Sequence, residues 1–111
     1  MSTAKFAASV SHRDALIAEL RADHDFAAEY LKAALEEMED SRHRAVGLLA
    51  LRDVAEAYGG LAAVARSAGI TREALYRALS PNGNPTLKTL MAVLDAVGMR
   101  LSASPARASS R

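Results

Sequence analysis

The chain has 111 residues, a formal net charge of +1 and no cysteine. This length predicts one small domain, and the lack of cysteine excludes disulfides and cysteine-based zinc sites. Its longest apolar runs are far shorter than the roughly 20 residues that span a membrane. The sequence begins MSTAKFAASV, which does not resemble a secretory signal. We therefore expect a cytoplasmic location.

The apolar residues predict a thin hydrophobic core. Of the 111 residues, 25 are alanine and five are aromatic. A large apolar side chain contributes about 1.5–3 kcal/mol when it is buried, whereas alanine removes little area from water. A small domain also buries a smaller share of its surface than a large one. We therefore expect the chain to depend on a second copy of itself or on another partner.

Apolar residues recur at helical spacing through the N-terminal half of the chain. Ser11 begins a first helix with a pattern that resembles a capping box, which leaves residues 1–10 as a flexible arm. A second helix starts at the aspartates of residues 23–25. A third helix follows Ser41 and ends at a Gly-Gly pair, where a left-handed C-cap is expected.

The C-terminal half predicts three shorter elements. One helix begins at Leu61 and stops at Gly69, and another restarts at Thr71. Residues 80–85 read SPNGNP and form a loop. Thr86 is a good N-cap for the last helix, which ends at a glycine. The sequence MRLSA that follows alternates apolar and polar residues and forms at most a short strand. The predicted fold is all-α.

The spacing within LAAVARSAGITREALYRALS predicts a helix-turn-helix. Two short helices that cross steeply need a small residue where their backbones approach, and Ala65 supplies it. The sharp turn needs a residue that tolerates positive φ, and Gly69 supplies that. Leu75 fills the crossing together with Val64 and Ile70. An ordinary helical hairpin, the alternative, would tolerate many other residues at these positions.

The second helix of this motif leaves polar side chains on its outer face. The N-terminal part of such a helix reaches base edges in the major groove of DNA. Arg72 would bind guanine with two hydrogen bonds, and Glu73 would accept one from cytosine N4. Tyr76 would pack on a thymine methyl group or bind a phosphate. Thr71 either caps the helix or joins these contacts, and Arg72 and Glu73 are alternatively a solvated charge pair.

The stretch that follows predicts contacts with DNA phosphates. Backbone N–H groups at a helix N-terminus bind phosphate readily. Thr86 and Lys88 lie at such a position, Asn84 precedes them, and Arg77 is near in sequence. Alternatively, the asparagine and glycine residues simply make the turn. Phosphate contacts would position the protein and would make its DNA affinity fall steeply with salt.

Charge is distributed unevenly along the chain. Residues 1–69 contain eight Lys or Arg and eleven Asp or Glu, whereas residues 70–111 contain six and two. The first part is thus acidic and the second basic, a pattern that fits a phosphate-binding end and an end for a basic partner. The run EEMED at residues 36–40 is either a solvated helix end or part of that second surface.

No pattern in the sequence predicts catalysis. His12, His24 and His43 fall in separate predicted segments, and no His-Glu-x-x-His pair occurs. The chain also lacks a phosphate-cradling glycine loop with a lysine. We expect a protein that is not an enzyme and that needs no metal or cofactor.

Three segments, RDVAEAYGG, TREALYRALS and GNPTLKTL, occur together and in this order. They resemble the helix-turn-helix antidote proteins (antitoxins) of toxin–antitoxin addiction modules, of the HigA-like, phage-repressor (XRE) type. The resemblance extends from about residue 23 to residue 103. It implies an all-α phage-repressor fold with a helical N-terminal extension, and a homodimer. It also implies a small RelE-type toxin that cleaves RNA and is held inactive, and repression of the protein's own operon by DNA binding.

Carried over by position, the resemblance implies two sets of DNA-binding residues and one subunit contact. The recognition helix contains Arg72, Glu73, Tyr76 and Arg77, the phosphate-facing stretch contains Asn84 and Lys88, and Leu101 matches a terminal strand that pairs between subunits. In the serine- and arginine-rich tail, Arg107 and Arg111 would touch DNA if the tail acts as an arm, although disorder is the simpler expectation.

These observations predict four segments: an arm at 1–10, a helical region for toxin binding or dimerisation at 11–58, the helix-turn-helix region at 59–103 and a disordered tail at 104–111. The leading hypothesis is an antitoxin that also represses transcription. One alternative is a free-standing repressor whose N-terminal helices only dimerise. Another is a helical pair that docks a protein instead of DNA.

Overall fold

The structure, a computed structural model, describes residues 2–106, with side chains from residue 12 onward. This part of the chain is all-α, as predicted, and contains no strand. Its helices are α1 (Ser2–Ala22), α2 (His24–Glu37), a 3₁₀ turn (Ser41–His43), α3 (Arg44–Ala57), α4 (Leu61–Ala68), α5 (Arg72–Ala78) and α6 (Leu87–Ala96). None of the helices in residues 2–106 combines the length and apolar character that crossing a membrane requires.

Side-chain caps determine where three of the helices begin. Asp23 accepts a hydrogen bond from the Phe26 N–H at 3.0 Å, and Thr86 accepts one from the Thr89 N–H at 3.1 Å. Thr71 caps α5 in the same way. Each bond satisfies one of the backbone donors that a helix N-terminus leaves unpaired. The caps at Thr71 and Thr86, and the first aspartate of residues 23–25, lie where the sequence predicts them.

Two predicted boundaries differ from the structure. α1 begins at Ser2, so the helix covers residues 2–10 of the segment that we predicted as an arm, and Ser11 lies inside it. The alanine-rich stretch before Ser11 has no glycine or proline to stop a helix. The predicted strand near Leu101 is absent from the described chain, where residues 101–106 have no regular structure. A strand needs a neighbouring strand for its backbone hydrogen bonds. Residues 107–111, with Arg107 and Arg111, lie outside the described part.

One continuous cluster of leucine, valine and alanine side chains joins all six helices. α1 and α2 pack on α3, and α4 packs on both α5 and α6. Each large side chain in the cluster contributes about 1.5–3 kcal/mol by leaving water. The largest of the fully buried residues are Leu20, Leu48, Leu51, Val54, Val64, Leu75, Leu79, Val93 and Leu94.

A polar network connects the three N-terminal helices inside this packing. Asp53 of α3 is only 3% exposed. Its Oδ1 lies 2.6 Å from Nη1 of Arg13 in α1, and its Oδ2 accepts a 3.0 Å hydrogen bond from the Tyr30 hydroxyl in α2. Since Oδ1 accepts no well-aligned hydrogen bond among the described residues, the charge of Arg13 is what compensates it. The network therefore anchors α3 to α1 and α2.

Ionisation of the Tyr30 hydroxyl should make the free energy of unfolding decrease at alkaline pH. Burial, followed by the charge and hydrogen bond of Asp53, raises the pKa of Tyr30 from 10.0 to about 12. Below pH 10 the phenol is neutral in both the folded and the unfolded chain, so its contribution is fully present. Between pH 10 and 12 only the unfolded chain ionises readily, and the contribution is lost. Urea unfolding across this range should show a weaker pH dependence for Tyr30→Phe, and identical pH dependence would contradict the assignment.

Candidate functional site

The corner between α4 and α5 is built on one glycine. Gly69 ends α4 with φ +76° and ψ 27°, in the left-handed region that glycine reaches without steric cost. The Ile70 N–H then donates to the Ala65 carbonyl at 3.0 Å, which closes the end of α4. Thr71 begins α5 by accepting a hydrogen bond from the Ala74 N–H at 3.0 Å. Only Ile70 and Thr71 separate the glycine from α5, so the chain reverses within a short corner.

Small and apolar side chains fill the space between these helices. Ala65 is 1% exposed, Val64 is 2% exposed and Leu75 is fully buried. A methyl group at Ala65 leaves room for the neighbouring backbone, whereas a longer side chain would push the helices apart. Leu75 and Leu79 hold the inner side of α5 in the core. The opposite side of α5 is therefore presented to solvent in a determined orientation.

That outer side contains three of the side chains that we predicted to read DNA bases, together with Arg77, which we predicted to bind a phosphate. Arg72, Glu73, Tyr76 and Arg77 are exposed and line a shallow depression of about 360 Å³. Thr71 lies at the beginning of the same helix. Because its hydroxyl oxygen accepts the capping bond, the capping role is present in the structure, and a contact between Thr71 and DNA stays a prediction.

Two arginine side chains contact the Tyr76 ring on this surface. The guanidinium carbon of Arg72 lies 5.9 Å from the ring centroid, and that of Arg52 lies 5.7 Å from it. Both distances fall within the range of cation–π attraction. Arg52 belongs to α3 and was not among the residues predicted from the sequence. No local motif marks it, since the contact with Tyr76 exists only after α3 and α5 have packed.

The predicted phosphate-binding residues fall into two groups. Arg77, Asn84 and Thr86 line one open groove of about 500 Å³ between the end of α5 and the start of α6. Thr86 caps α6 there, and its hydroxyl also bonds that of Thr89 at 3.1 Å. Lys88 is exposed on the first turn of α6 but does not line the groove. The structure thus brings three of the four residues together.

Gly83 determines how the loop sits on α5. Its N–H donates to the Ser80 carbonyl at 2.8 Å. A Cβ atom placed on Gly83 would overlap the Ala78 carbonyl oxygen and would lie 2.7 Å from the Arg77 carbonyl oxygen. Since both neighbours are backbone atoms, they cannot move aside as a side chain can. The loop therefore approaches α5 as closely as it does only because residue 83 has no side chain.

Replacing Gly83 with alanine should displace this loop. Relieving overlap of this kind costs about 1–3 kcal/mol, and the shift should also separate Arg77 from Thr86. Urea unfolding measures the first effect. Asn82→Ala, in the same loop but exposed, is the matched control and should stay within about 0.5 kcal/mol of the wild type. Equal stability of Gly83→Ala and the wild type would show that the close approach is not required.

The acidic run at residues 36–40 is partly paired with the basic residues that follow it. Asp40 caps the 3₁₀ turn by accepting from the Arg42 N–H at 2.9 Å, and it pairs with the Arg42 guanidinium at 2.8 Å. Hydrogen bonds from Arg42 hold the pKa of Asp40 below its ordinary value. Glu37 lies 2.8 Å from the His43 Nδ1. Two of the four acidic side chains in this run therefore have local partners.

The remaining glutamates face a groove between α2 and the C-terminal segment. This groove has a volume of about 500 Å³. Glu29, Glu36 and Glu39 line it together with two cations, Lys32 and Arg100, and its apolar lining includes Leu35, Leu94, Met99 and Leu101. Leu101 is 43% exposed. The lining thus combines exposed apolar surface with a small excess of negative charge, three carboxylates against two cations.

The histidines have separate surroundings. His24 Nε2 lies 3.2 Å from the Val97 carbonyl oxygen, and its ring packs against the Tyr58 ring in a T-shaped arrangement with 5.5 Å between the ring centroids. His24 therefore connects the start of α2 to the end of α6, while His43 lies near Glu37. His12 is exposed on α1. Among the described residues, no three His, Asp or Glu side chains form a group that could hold a metal ion.

Comparison with known proteins finds similarity over most of the helical assembly. A family model described as a probable addiction module antidote protein matches residues 12–105. An uncharacterized protein of Haemophilus influenzae is 37% identical over 86 residues, which cover 78% of this chain and 88% of that protein. No solved structure matches the chain. The matched region contains the α4–α5 corner, the outer side of α5 and the acidic groove. The chain belongs to the family of probable addiction module antidote proteins.

Proposed function

We propose that this protein is the antitoxin of a toxin–antitoxin module that binds and neutralises a small RelE-type, RNA-cleaving toxin and represses its own operon. Membership of the antidote family supports the antitoxin role and implies a toxin partner of some kind. The DNA-binding half of the proposal depends on one observation: the helix that follows the Gly69 corner, α5, presents a polar side to solvent. We propose that α4 and α5 form a helix-turn-helix of the phage-repressor type.

The chemistry of the α5 surface suits duplex DNA. Arg72 and Arg77 carry positive charge on an exposed helix, and their guanidinium groups form two parallel hydrogen bonds to guanine or to phosphate. The groove beside Arg77 offers hydroxyl and amide groups from Thr86 and Asn84. Side chains of these types make most phosphate contacts in protein–DNA complexes. Base reading by the first turn of α5 and phosphate contacts from the groove would therefore act together.

The groove between α2 and the C-terminal segment, here called the acidic groove, has the charge and apolar surface expected of a toxin-binding site. A protein that binds RNA needs basic surface, because RNA is a polyanion. Glu29, Glu36 and Glu39 form no ion pair with a described residue, so they are free to meet lysine or arginine of a partner. The apolar lining adds area that can be buried on binding. An antitoxin that covers the basic surface of its toxin would exclude RNA from it.

Co-expression with the small open reading frame beside its gene tests the toxin-binding half. We expect the two proteins to purify together and the antitoxin to relieve growth arrest caused by the toxin. Replacing Glu36 and Glu39 with lysine should weaken both effects, whereas Arg72→Ala should change neither. If neither copurification nor relief is observed, the toxin-binding half is wrong. A gene with no small partner beside it would favour the alternative, a free-standing repressor.

A homodimer is part of the proposal, since operators with two half-sites require two copies of the reading helix. Leu87 and Met91 are 62% and 52% exposed and lie four residues apart on α6, so they share one face. We propose that this face packs against a second copy. Light scattering during gel filtration should give the mass of a dimer, and Met91→Lys should shift it toward the monomer. The function proposed involves binding alone and no catalytic step.

A further inference from the structure

The Tyr76 side chain holds two arginines from different helices at one edge of the α5 surface. Its ring is 46% exposed, and the guanidinium groups of Arg52 and Arg72 both lie within 6 Å of its centroid. Arg72 belongs to α5 and lies at its first turn, whereas Arg52 reaches the ring from the middle of α3. The surface therefore extends beyond α5 to a residue of the N-terminal helices.

The direction of Arg52 follows from its neighbours in α3. Successive residues of an α-helix point about 100° apart. Leu51 and Val54 are buried in the core and Asp53 is buried between them, which together fix the rotation of α3 about its axis. Arg52 must then leave α3 on another side, where it meets Tyr76. The buried face of α3 thus determines where the Arg52 guanidinium lies.

Positive charge exceeds negative charge around Tyr76, since the depression that it lines holds Arg72 and Arg77 with one carboxylate, that of Glu73, and Arg52 adds a third cation. Neither Arg52 nor Arg72 forms an ion pair with any residue in the described part of the chain. Two guanidinium groups beside one ring concentrate positive charge at this edge of the surface. An anion placed beside them would be attracted to both. A row of phosphates, the anion that DNA presents on each side of its major groove, has the required charge.

We infer that Arg52 binds a DNA phosphate and that Tyr76 holds its guanidinium in position for this contact. The inference depends on the proposed DNA binding of α5 and extends it to α3. Arg72 would read a base from the first turn of α5. Arg52, which also contacts the Tyr76 ring, would bind a phosphate of the DNA backbone next to that base. Tyr76 acts on both residues through its ring, and its hydroxyl is not needed for this role.

Salt dependence of DNA binding tests the inference. The logarithm of the association constant falls with the logarithm of salt concentration by about 0.9 for each phosphate contact. We would measure binding to a fluorescent random-sequence duplex and to the duplex upstream of the gene. We call this dependence of log K on log salt concentration the salt slope. Arg52→Gln, which keeps most of the side-chain length and removes the charge, should make the salt slope less steep by about 1 on both duplexes. Arg52→Lys should keep the slope, because it retains the charge.

Two controls separate this contact from a structural role of Arg52. Lys32→Gln removes one positive charge from the α2 groove, which no α5 residue lines, and should leave the slope unchanged. Tyr76→Leu, which removes the ring, should reduce the effect of Arg52→Gln on the slope. A residue that only fastens α3 to α5 would change the melting temperature and leave the slope intact.

The outcomes distinguish this inference from the proposed function. If the wild type binds both duplexes with a clear salt slope and Arg52→Gln keeps that slope, the inference that Arg52 binds a phosphate is wrong and the proposed DNA binding of α5 is unaffected. If the wild type binds neither duplex at low salt, both the contact and the DNA-binding half of the proposed function are wrong. If Arg52→Gln reduces the salt slope and Arg52→Lys keeps the wild-type slope, both the phosphate contact of Arg52 and the proposed DNA binding are supported.

Discussion

Arg72→Ala should weaken binding to the operator by about 1–3 kcal/mol, which is roughly 5- to 150-fold in affinity. Arg72 is exposed at the first turn of α5, the position from which a recognition helix reaches base edges. A guanidinium that binds guanine through two hydrogen bonds discriminates against other bases by this amount. The substitution removes little packing, so the free energy of unfolding should stay close to that of the wild type.

The measurement compares two duplexes, one from upstream of the gene and one of random sequence. Arg72→Ala should lose affinity mainly for the first, so that the ratio of the two affinities falls. Lys88→Ala is the matched control on α6. If Lys88 binds a phosphate, its loss should weaken both duplexes about equally. An unchanged ratio for Arg72→Ala would mean that Arg72 does not read a base.

Arg13→Ala should lower the free energy of unfolding by about 1–3 kcal/mol, because it leaves a buried carboxylate without its positive partner, which is itself half-exposed. The Asp53 side chain is 4% exposed, and Arg13 is the only cation within 4 Å of it in the described chain. The Tyr30 hydroxyl would still donate to Oδ2 but would not neutralise the charge. Since this loss is a large part of the stability of a small domain, the variant should unfold at much lower urea concentration.

A double substitution is the control for this prediction. Combining Arg13→Ala with Asp53→Asn removes the buried charge together with its partner, so the double variant should be more stable than Arg13→Ala alone. Equal instability of the two would show that Arg13 contributes through packing of its aliphatic part.

The helix caps and the glycine corner could be predicted because each depends on residues close in sequence. Thr71 and Thr86 each accept a hydrogen bond from the N–H three residues later. Gly69 has φ +76°, a value that other residues rarely adopt. Such features are properties of four or five consecutive residues. The start of α1 was harder to predict, because alanine-rich sequence permits helix on both sides of Ser11.

The candidate site was only partly predictable for the same reason. The residues of α5 could be placed on one outer face, since helical spacing alone separates them from Leu75. Arg52 could not be found, because it lies 24 positions before Tyr76. Of the groove only the acidic run at residues 36–40 was indicated, because the groove combines α2 with the C-terminal segment. Nothing in either stretch marks its distant partner.

The sequence by itself determined the helical content, the capped starts of α5 and α6, and the turn at Gly69. These features depend on backbone dihedral angles and on hydrogen bonds that span a few residues. Only the tertiary structure decided that Asp53 is buried between Arg13 and Tyr30 and that Arg52 meets Tyr76. Those contacts join side chains from separate helices. Their distances therefore depend on how the helices pack, which the core side chains determine together and no single segment determines alone.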